Sequence, residues 1–205
     1  GPFNPTGVAD TPSRKRIFSC RPSGEHDEET CARQILSRLA GQAFRRPITD
    51  EDLKAPLAFY AMGRESGGDF EAGIENGLTA ILASTKFLIR EEPRDGSAGL
   101  YALSDLELAS RLSFFLWSSV PDDELIDIAA AGKLKDPAVL EKQVKRMMAD
   151  PKFEAFVTNF TGQWLSVRSL RTSEPVVNLF PDFDDNLRAA YQKEVEMFFA
   201  SIARE

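Results

Sequence analysis

Apolar residues recur every three or four positions through most of this 205-residue chain, and this spacing restricts the fold more than any other feature. Between Asp27 and Phe44 the apolar side chains fall on one face of a helix, and later segments repeat the pattern. Proline, glycine or a capping residue separates each segment from the next. We find no convincing β-hairpin and no alternation of strands with helices, so the sequence predicts an all-α fold.

Local signals place the boundaries of most predicted helices. Ser104 and Glu107 have the spacing of a capping box, in which two side chains close the first turn of a helix. Thr49 and Asp52 have the same spacing, with Asp in place of Glu. Other helices are expected near Phe70, Asp122, Val139, Asp150-Pro151 and after Pro181-Asp182, with ends at Pro47, Gly67-Gly68, Pro121 and Gly132. Residues 166–181 are expected to form a loop.

The predicted organisation has four parts. Residues 1–24 form an irregular N-terminal arm, 25–92 a helical domain, 93–102 a linker and 103–205 a second helical domain. The arm is expected to lack helices because it contains Pro2, Pro5, Pro12 and Pro22, and residues 17–20 are expected to be extended. The last helical pattern runs to Glu205 without a capping signal, so we interpret the second domain as truncated at its C-terminus.

Composition disfavours several classes of function. Lys and Arg number 25 against 32 Asp and Glu, a net charge of −7, which makes the chain a poor ligand for nucleic acid. No apolar run approaches the roughly 20 residues of a membrane span, and no signal peptide is visible. With one His and two Cys, most metal sites are disfavoured, and we predict none. The chain has no C-x-x-C-H motif, so we expect no cofactor within it.

The two cysteines, Cys20 and Cys31, leave alternatives open. In a reducing compartment they would be a free thiol and a small buried apolar side chain. In an oxidising compartment they would pair, which would stabilise the fold by about 3 kcal/mol. The spacing is not C-x-x-C, so it does not indicate a redox-active dithiol. His26, between Glu25 and Asp27, is expected at the surface.

A segment rich in aromatic and acidic residues supplies the candidate binding residues. Adjacent carboxylates in a cleft can perform acid–base chemistry, although acidic residues are also typical of helix N-termini. Most of the 15 Phe lie on apolar stripes and are expected in the core, which leaves the two Trp as candidates for a carbohydrate platform. No catalytic residue is predicted, and the candidate binding residues are Arg111, Trp117, Asp122, Asp123 and Trp164.

Two stretches of the chain resemble known domains. Residues 29–36 (ETCARQIL) and 81–90 (ILASTKFLIR) resemble the DUF1595 domain, also called PSD5, of large planctomycete-type proteins. Residues 107–122 (ELASRLSFFLWSSVPD) with Gln163-Trp164-Leu165 resemble DUF1592, or PSD4, the next domain of the same proteins. The resemblance implies a multidomain protein exported to the periplasm or the cell exterior, with a c-type haem in a neighbouring domain. That setting favours a disulfide between Cys20 and Cys31.

Three functions follow as hypotheses. The first is a non-catalytic helical scaffold or interaction module whose partners are the other domains of the same polypeptide. The second is the substrate-binding part of an exported haem-linked oxidoreductase. The third is a carbohydrate-binding module, which would require exposed, coplanar rings at Trp117 and Trp164.

Overall fold

The computed structural model describes residues 10–89 and 102–204. The chain divides into two compact units, with the division between Ala102 and Leu103. All regular structure in the described residues is helical, which confirms the all-α prediction. The first unit contains α1 (Pro12–Ile17), α2 (Glu25–Phe44), α3 (Asp50–Glu65), α4 (Phe70–Leu82) and α5 (Thr85–Leu88). The second contains α6 (Asp105–Trp117), α7 (Asp123–Ala130), α8 (Pro137–Ala149), α9 (Glu154–Trp164) and α10 (Asp185–Ala203), with 3₁₀ turns at Pro151–Phe153 and Val167–Thr172.

The predicted helix starts at α3 and α6 are confirmed by their capping boxes. The Thr49 side chain accepts the backbone N–H of Asp52, whose carboxylate accepts the N–H of Thr49 in return. Ser104 and Glu107 make the same reciprocal pair before α6. These bonds satisfy backbone donors that the first turn of a helix leaves unpaired. They explain why short-range sequence signals located both helices.

The structure refines three predictions about local structure. The arm over residues 1–24 contains the short helix α1, because Thr11 caps it and Pro12 occupies the first helical position, where no N–H is needed. Residue Ile17 is therefore helical and not extended. The predicted loop over residues 166–181 contains the 3₁₀ turn at 167–172.

Two helices also end earlier than the prolines that were expected to stop them. Helix α2 ends at Phe44 because Arg45 turns into the left-handed region, with φ of 59°, before Pro47 is reached. Helix α6 ends in the same way at Trp117, because Ser118 has a φ of 50°, before Pro121 is reached. The predicted linker lies outside the described residues except for Ala102, and so does the side chain of His26.

Helices α2, α3 and α4 pack around the apolar core of the first unit, and glycines let them approach closely. A Cβ atom at Gly77 of α4 would lie 2.8 Å from the Leu36 side chain and 3.0 Å from the carbonyl oxygen of Pro56. At Gly73 it would lie 2.7 Å from the ring of Tyr60. Real Cβ atoms essentially never lie closer than 3.0 Å to such neighbours, so a larger residue at either position would force α4 or its neighbours to shift.

A disulfide joins Cys20 to Cys31 and holds the segment after α1 against α2. Of the alternatives that the spacing left open, the structure therefore has the paired form. Phe18 packs on Phe70 of α4, with ring centroids 6.4 Å apart, and Arg38 of α2 donates a hydrogen bond of 3.1 Å to the carbonyl oxygen of Ile17. The covalent bond thus secures a segment that also makes its own packing contacts.

The core of the second unit forms where α6, α7, α8 and α9 meet. Its fully buried members include Leu125, Leu134, Met147, Phe153 and Val157. Trp117 completes this core and donates a 2.9 Å hydrogen bond from Nε1 to the carbonyl oxygen of Met147. The core fixes α6 and α9 side by side, and their outer faces line one cavity.

Candidate functional site

A row of aromatic rings follows one face of α9. Phe156, Phe160 and Trp164 are spaced four residues apart, so each ring lies about 6 Å further along the helix axis than the one before. The centroids of Phe156 and Phe160 are 5.1 Å apart with nearly parallel planes, and those of Phe160 and Trp164 are 5.3 Å apart. The row becomes more exposed towards its end, where Trp164 is 67% exposed.

Helix α6 forms the opposite wall. Phe115 meets Phe156 edge to face, with centroids 5.0 Å apart, and both Phe114 and Phe115 are exposed. Behind the row, Phe199 of α10 contacts Phe156 and Phe160 at 6.0 and 5.4 Å. The two walls enclose an open cavity of about 680 Å³, which we call the aromatic groove. It is lined by Phe114, Phe115, Ser118, Phe156, Asn159, Phe160, Gln163 and Trp164.

Polar side chains border the rings. Asn159 donates a 2.8 Å hydrogen bond to Oγ of Ser118 and accepts one of 2.9 Å from Arg168. The Arg168 side chain lies on Gly162, where a Cβ atom would come within 3.0 Å of its Nε. These contacts hold the Asn159 amide in one orientation, and Gln163 is exposed one turn further along α9.

The structure places only one of the predicted tryptophans at the surface. Trp117 is 2% exposed, with Lys152 Nζ lying 4.4 Å from its ring centroid, whereas Trp164 lines the aromatic groove. The pair of exposed rings that the carbohydrate hypothesis would require at Trp117 and Trp164 is therefore not formed. The reason is tertiary: the indole N–H of Trp117 has a partner in the core, the carbonyl group of Met147.

Arg146 brings Trp117 and Asp122 together. Its guanidinium lies 5.6 Å from the Trp117 ring centroid and makes two hydrogen bonds, of 2.6 and 3.0 Å, to the Asp122 carboxylate. Asp122 also caps α7 by accepting the N–H of Leu125 at 3.1 Å. Burial opposes the charge on Asp122, but these hydrogen bonds outweigh it and hold the pKa of the carboxyl below its usual value.

The other two predicted residues lie apart from this cluster. Asp123 is exposed at the first position of α7, next to the capping residue. Arg111 is exposed on α6, one turn before Phe114 and Phe115 of the aromatic groove. Trp164 therefore lines the groove, Arg111 lies on α6 outside the lining, and Asp122 and Asp123 lie at the start of α7.

The first unit contains a buried carboxylate, Asp52, whose hydrogen-bond partners connect helices of the fold. Asp52 accepts hydrogen bonds from Arg46 at 2.8 and 2.9 Å, from Lys86 at 2.5 Å and from the N–H of Thr49 at 2.9 Å. The Arg46 bonds, followed by those from Lys86 and Thr49, hold the pKa of Asp52 far below its usual range despite its burial. Asp52 thereby links the end of α2 to the starts of α3 and α5.

A second carboxylate cluster joins α2 to α3. Glu28 accepts hydrogen bonds from the Tyr60 hydroxyl at 2.5 Å and from Arg64 at 3.0 Å, and these lower its pKa. Burial and the neighbouring Glu28 raise the pKa of Tyr60. Across residues 10–89 and 102–204, no three His, Cys, Asp or Glu side chains lie together in a way that could hold a metal ion. Nor does any described helix have the length and apolar character needed to cross a membrane.

Sequence reasoning missed most of the aromatic groove. The α9 apolar face was predicted, but its Phe residues were all assigned to the core, whereas the row at positions 156, 160 and 164 forms one wall of the groove. Asn159 and Arg168 carried no signal of their own. The repeat of aromatic residues at four-residue intervals, with Asn159 and Gln163 beside it, was the available clue.

Across residues 10–89 and 102–204 the protein is helical, and its second unit carries the aromatic groove. Comparison with known families agrees with the resemblance inferred from the sequence. Residues 103–205 match PSD4, a protein of unknown function (DUF1592), and residues 31–92 match PSD5, a protein of unknown function (DUF1595). The chain belongs to the PSD4 (DUF1592) family and carries the PSD5 (DUF1595) segment before it. Neither the curated proteins nor the solved structures gave a match.

Proposed function

We propose that this chain is a non-catalytic interaction module of a larger exported protein and that its second unit docks on a neighbouring domain. One observation carries the proposal: the segment between the 3₁₀ turn at 167–172 and α10 displays four apolar side chains to solvent. Val176, Val177, Leu179 and Phe180 are 60, 74, 73 and 58% exposed. We call these four residues the apolar loop.

The apolar loop has a defined backbone conformation. The N–H groups of Leu179 and Phe180 donate to the carbonyl oxygen of Val176 at 2.9 and 3.0 Å. Arg188 of α10 donates to the carbonyl oxygen of Ser173 at 2.5 Å, just before the loop, and its guanidinium lies 4.9 Å from the ring centroid of Phe183, just after it. A loop held at both ends with its apolar side chains outward is typical of an interaction surface.

Charge around the apolar loop indicates the chemistry of the partner. Glu174 precedes it and Asp182, Asp184 and Asp185 follow it, and all four are exposed. An apolar centre with an acidic border is complementary to an apolar surface bordered by Lys and Arg. We propose a partner domain of that kind.

The exported location is supported by the disulfide between Cys20 and Cys31, because such bonds persist in oxidising compartments. We propose the periplasm or the cell exterior. A covalently attached haem needs two free cysteines in a C-x-x-C-H motif, and the only two cysteines here are bonded to each other. The haem that the resemblance implies would therefore belong to another domain.

The proposal is tested with a double variant of the apolar loop, Val177→Asp with Leu179→Asp. The rest of the natural polypeptide is supplied as a separate chain, and binding is measured by titration calorimetry. Two charges in the interface should weaken binding by about thirtyfold or more, because central apolar residues each contribute over about 1 kcal/mol. Met62→Asp, a change of an apolar residue 58% exposed on α3, is the matched control and should leave binding unchanged. Equal affinity of the double variant and the unmodified chain would contradict the proposal.

A further inference from the structure

We propose that the aromatic groove binds a neutral oligosaccharide chain. This goes beyond the docking function, since it uses α6 and α9 and not the apolar loop. A sugar ring presents apolar C–H faces and polar hydroxyl edges. The groove presents aromatic rings bordered by hydroxyl and amide groups. The argument depends on the arrangement of the rings, the orientation of the amides and the charge of the lining.

The rings form a continuous apolar surface that is open to solvent. Phe156, Phe160 and Trp164 lie in a row, and Phe114 and Phe115 stand opposite, 42 and 59% exposed. Trp164 is at the open end of the row and is 67% exposed. A ligand lying along α9 would therefore meet one ring after another, as an extended chain of sugar units would require.

The amides are positioned to recognise hydroxyl groups. Asn159 is oriented by Ser118 and Arg168, and one N–H and one lone pair of its amide remain for a ligand after those two bonds are counted. Gln163, at the next turn, offers another donor and acceptor pair. Because its two hydrogen bonds fix the Asn159 amide before binding, that group would lose little conformational entropy when the ligand arrives.

The lining is electrically neutral, which favours an uncharged ligand. None of the eight lining residues is Asp, Glu, Lys or Arg, in a chain whose charged residues amount to 28%. A nucleotide or another polyanion would require several cationic side chains at its phosphates. An aliphatic helix face would cover the amides of Asn159 and Gln163 without offering them hydrogen bonds, at a cost in free energy.

The two tryptophans provide a direct test on the 205-residue chain. Hexasaccharides of glucose, xylose, mannose and N-acetylglucosamine are titrated separately while tryptophan fluorescence and its quenching by acrylamide are recorded. Trp117 is buried and serves as an internal reference, so the quenchable signal comes from Trp164. We expect at least one hexasaccharide to produce a saturable change and to protect Trp164 from acrylamide.

Variants locate the site. Trp164→Ala should weaken binding by about tenfold or more, as measured by calorimetry, because one stacking surface is lost. Gln163→Ala should weaken it by a smaller factor. Phe198→Ala removes an aromatic side chain that is 69% exposed on α10 but does not line the groove, and it should leave binding unchanged.

Two results would overturn the proposal. One is that no hexasaccharide produces a saturable response at concentrations up to about 10 mM. Any dissociation constant would then be larger than specific recognition requires. The other is binding that Trp164→Ala does not alter. The loop variants used to test docking do not touch the groove, so failure of one proposal is distinguishable from failure of the other.

Discussion

Among substitutions that remove one charge from the first unit, Asp52→Asn should reduce its stability most. Asp52 is 5% exposed and accepts hydrogen bonds from Arg46, Lys86 and Thr49. Each bond to a charged donor contributes about 1.5–3 kcal/mol in a buried site. Arg46 and Lys86 are 35 and 47% exposed, so water would solvate them in the variant and reduce the loss. We therefore expect a decrease of about 2–4 kcal/mol in the free energy of unfolding.

Urea denaturation followed by far-ultraviolet circular dichroism measures this change. Asp50→Asn is the matched control, because Asp50 has the same side chain two residues earlier in α3, is 99% exposed and lies 3.6 Å from Arg33. It should change stability by less than about 0.5 kcal/mol. If Asp52→Asn cost no more than Asp50→Asn, the interpretation of Asp52 as the link between α2, α3 and α5 would be refuted.

The same residue predicts a dependence of stability on pH. The pKa of Asp52 lies far below its usual value in the folded state, so the folded state binds fewer protons than the unfolded state in mildly acidic solution. The stabilising contribution of Asp52 is complete above the unfolded pKa, near 4, and is lost progressively as the pH falls below it. Asp52→Asn should therefore lose stability less steeply between about pH 5 and pH 2 than the unmodified chain. Identical slopes would contradict this prediction.

Three further predictions concern packing and covalent structure. Replacing Cys20 and Cys31 by Ser should lower the free energy of unfolding by about 3 kcal/mol, measured in urea under non-reducing conditions, and an unchanged midpoint would argue against a stabilising disulfide. Gly77→Ala should lower the melting temperature by several degrees, since the added methyl group would lie 2.8 Å from a side chain of α2. Gly41→Ala, inside α2 with its nearest contact at 3.7 Å, should not lower it. Trp117→Phe should lower the free energy of unfolding by about 1–3 kcal/mol, because the core hydrogen bond is lost. Most of the fluorescence that acrylamide quenches should remain, since it comes from Trp164. Its loss would show that the two tryptophans had been assigned to the wrong environments.

Short-range patterns predicted much of the helical structure because the bonds that begin a helix join residues three positions apart. Ser104 and Glu107 form their reciprocal hydrogen bonds within one helical turn, independently of tertiary contacts. Asp52 shows the limit of such reasoning: its bond to Thr49 is local and was predicted, but its bond to Lys86 spans 34 positions and was not. Sequence spacing carries no information about which distant cation will complete such a cluster.

The candidate site was harder to predict because exposure depends on the neighbours of a helix. Trp117 and Trp164 both lie on apolar stripes, yet one is 2% and the other 67% exposed. Trp117 is buried because its indole N–H bonds to the carbonyl group of Met147, 30 positions away in the sequence. Trp164 is exposed because no element among the described residues covers it. The apolar loop lies within the predicted loop over residues 166–181, but no local signal indicated that its apolar side chains, such as Val177, would face solvent.

Hydroxyl-radical footprinting of the longer polypeptide that the docking proposal supposes tests that proposal most directly. The reaction labels exposed side chains, so labelling of Leu179 and Phe180 is compared between that polypeptide and the 205-residue chain, with Met62 of α3 as the internal control. Docking predicts that Leu179 and Phe180 are labelled several-fold less in the full polypeptide while Met62 is labelled equally in both. Equal labelling of Leu179 and Phe180 in the two proteins would contradict the proposal that the apolar loop is covered by a neighbouring domain.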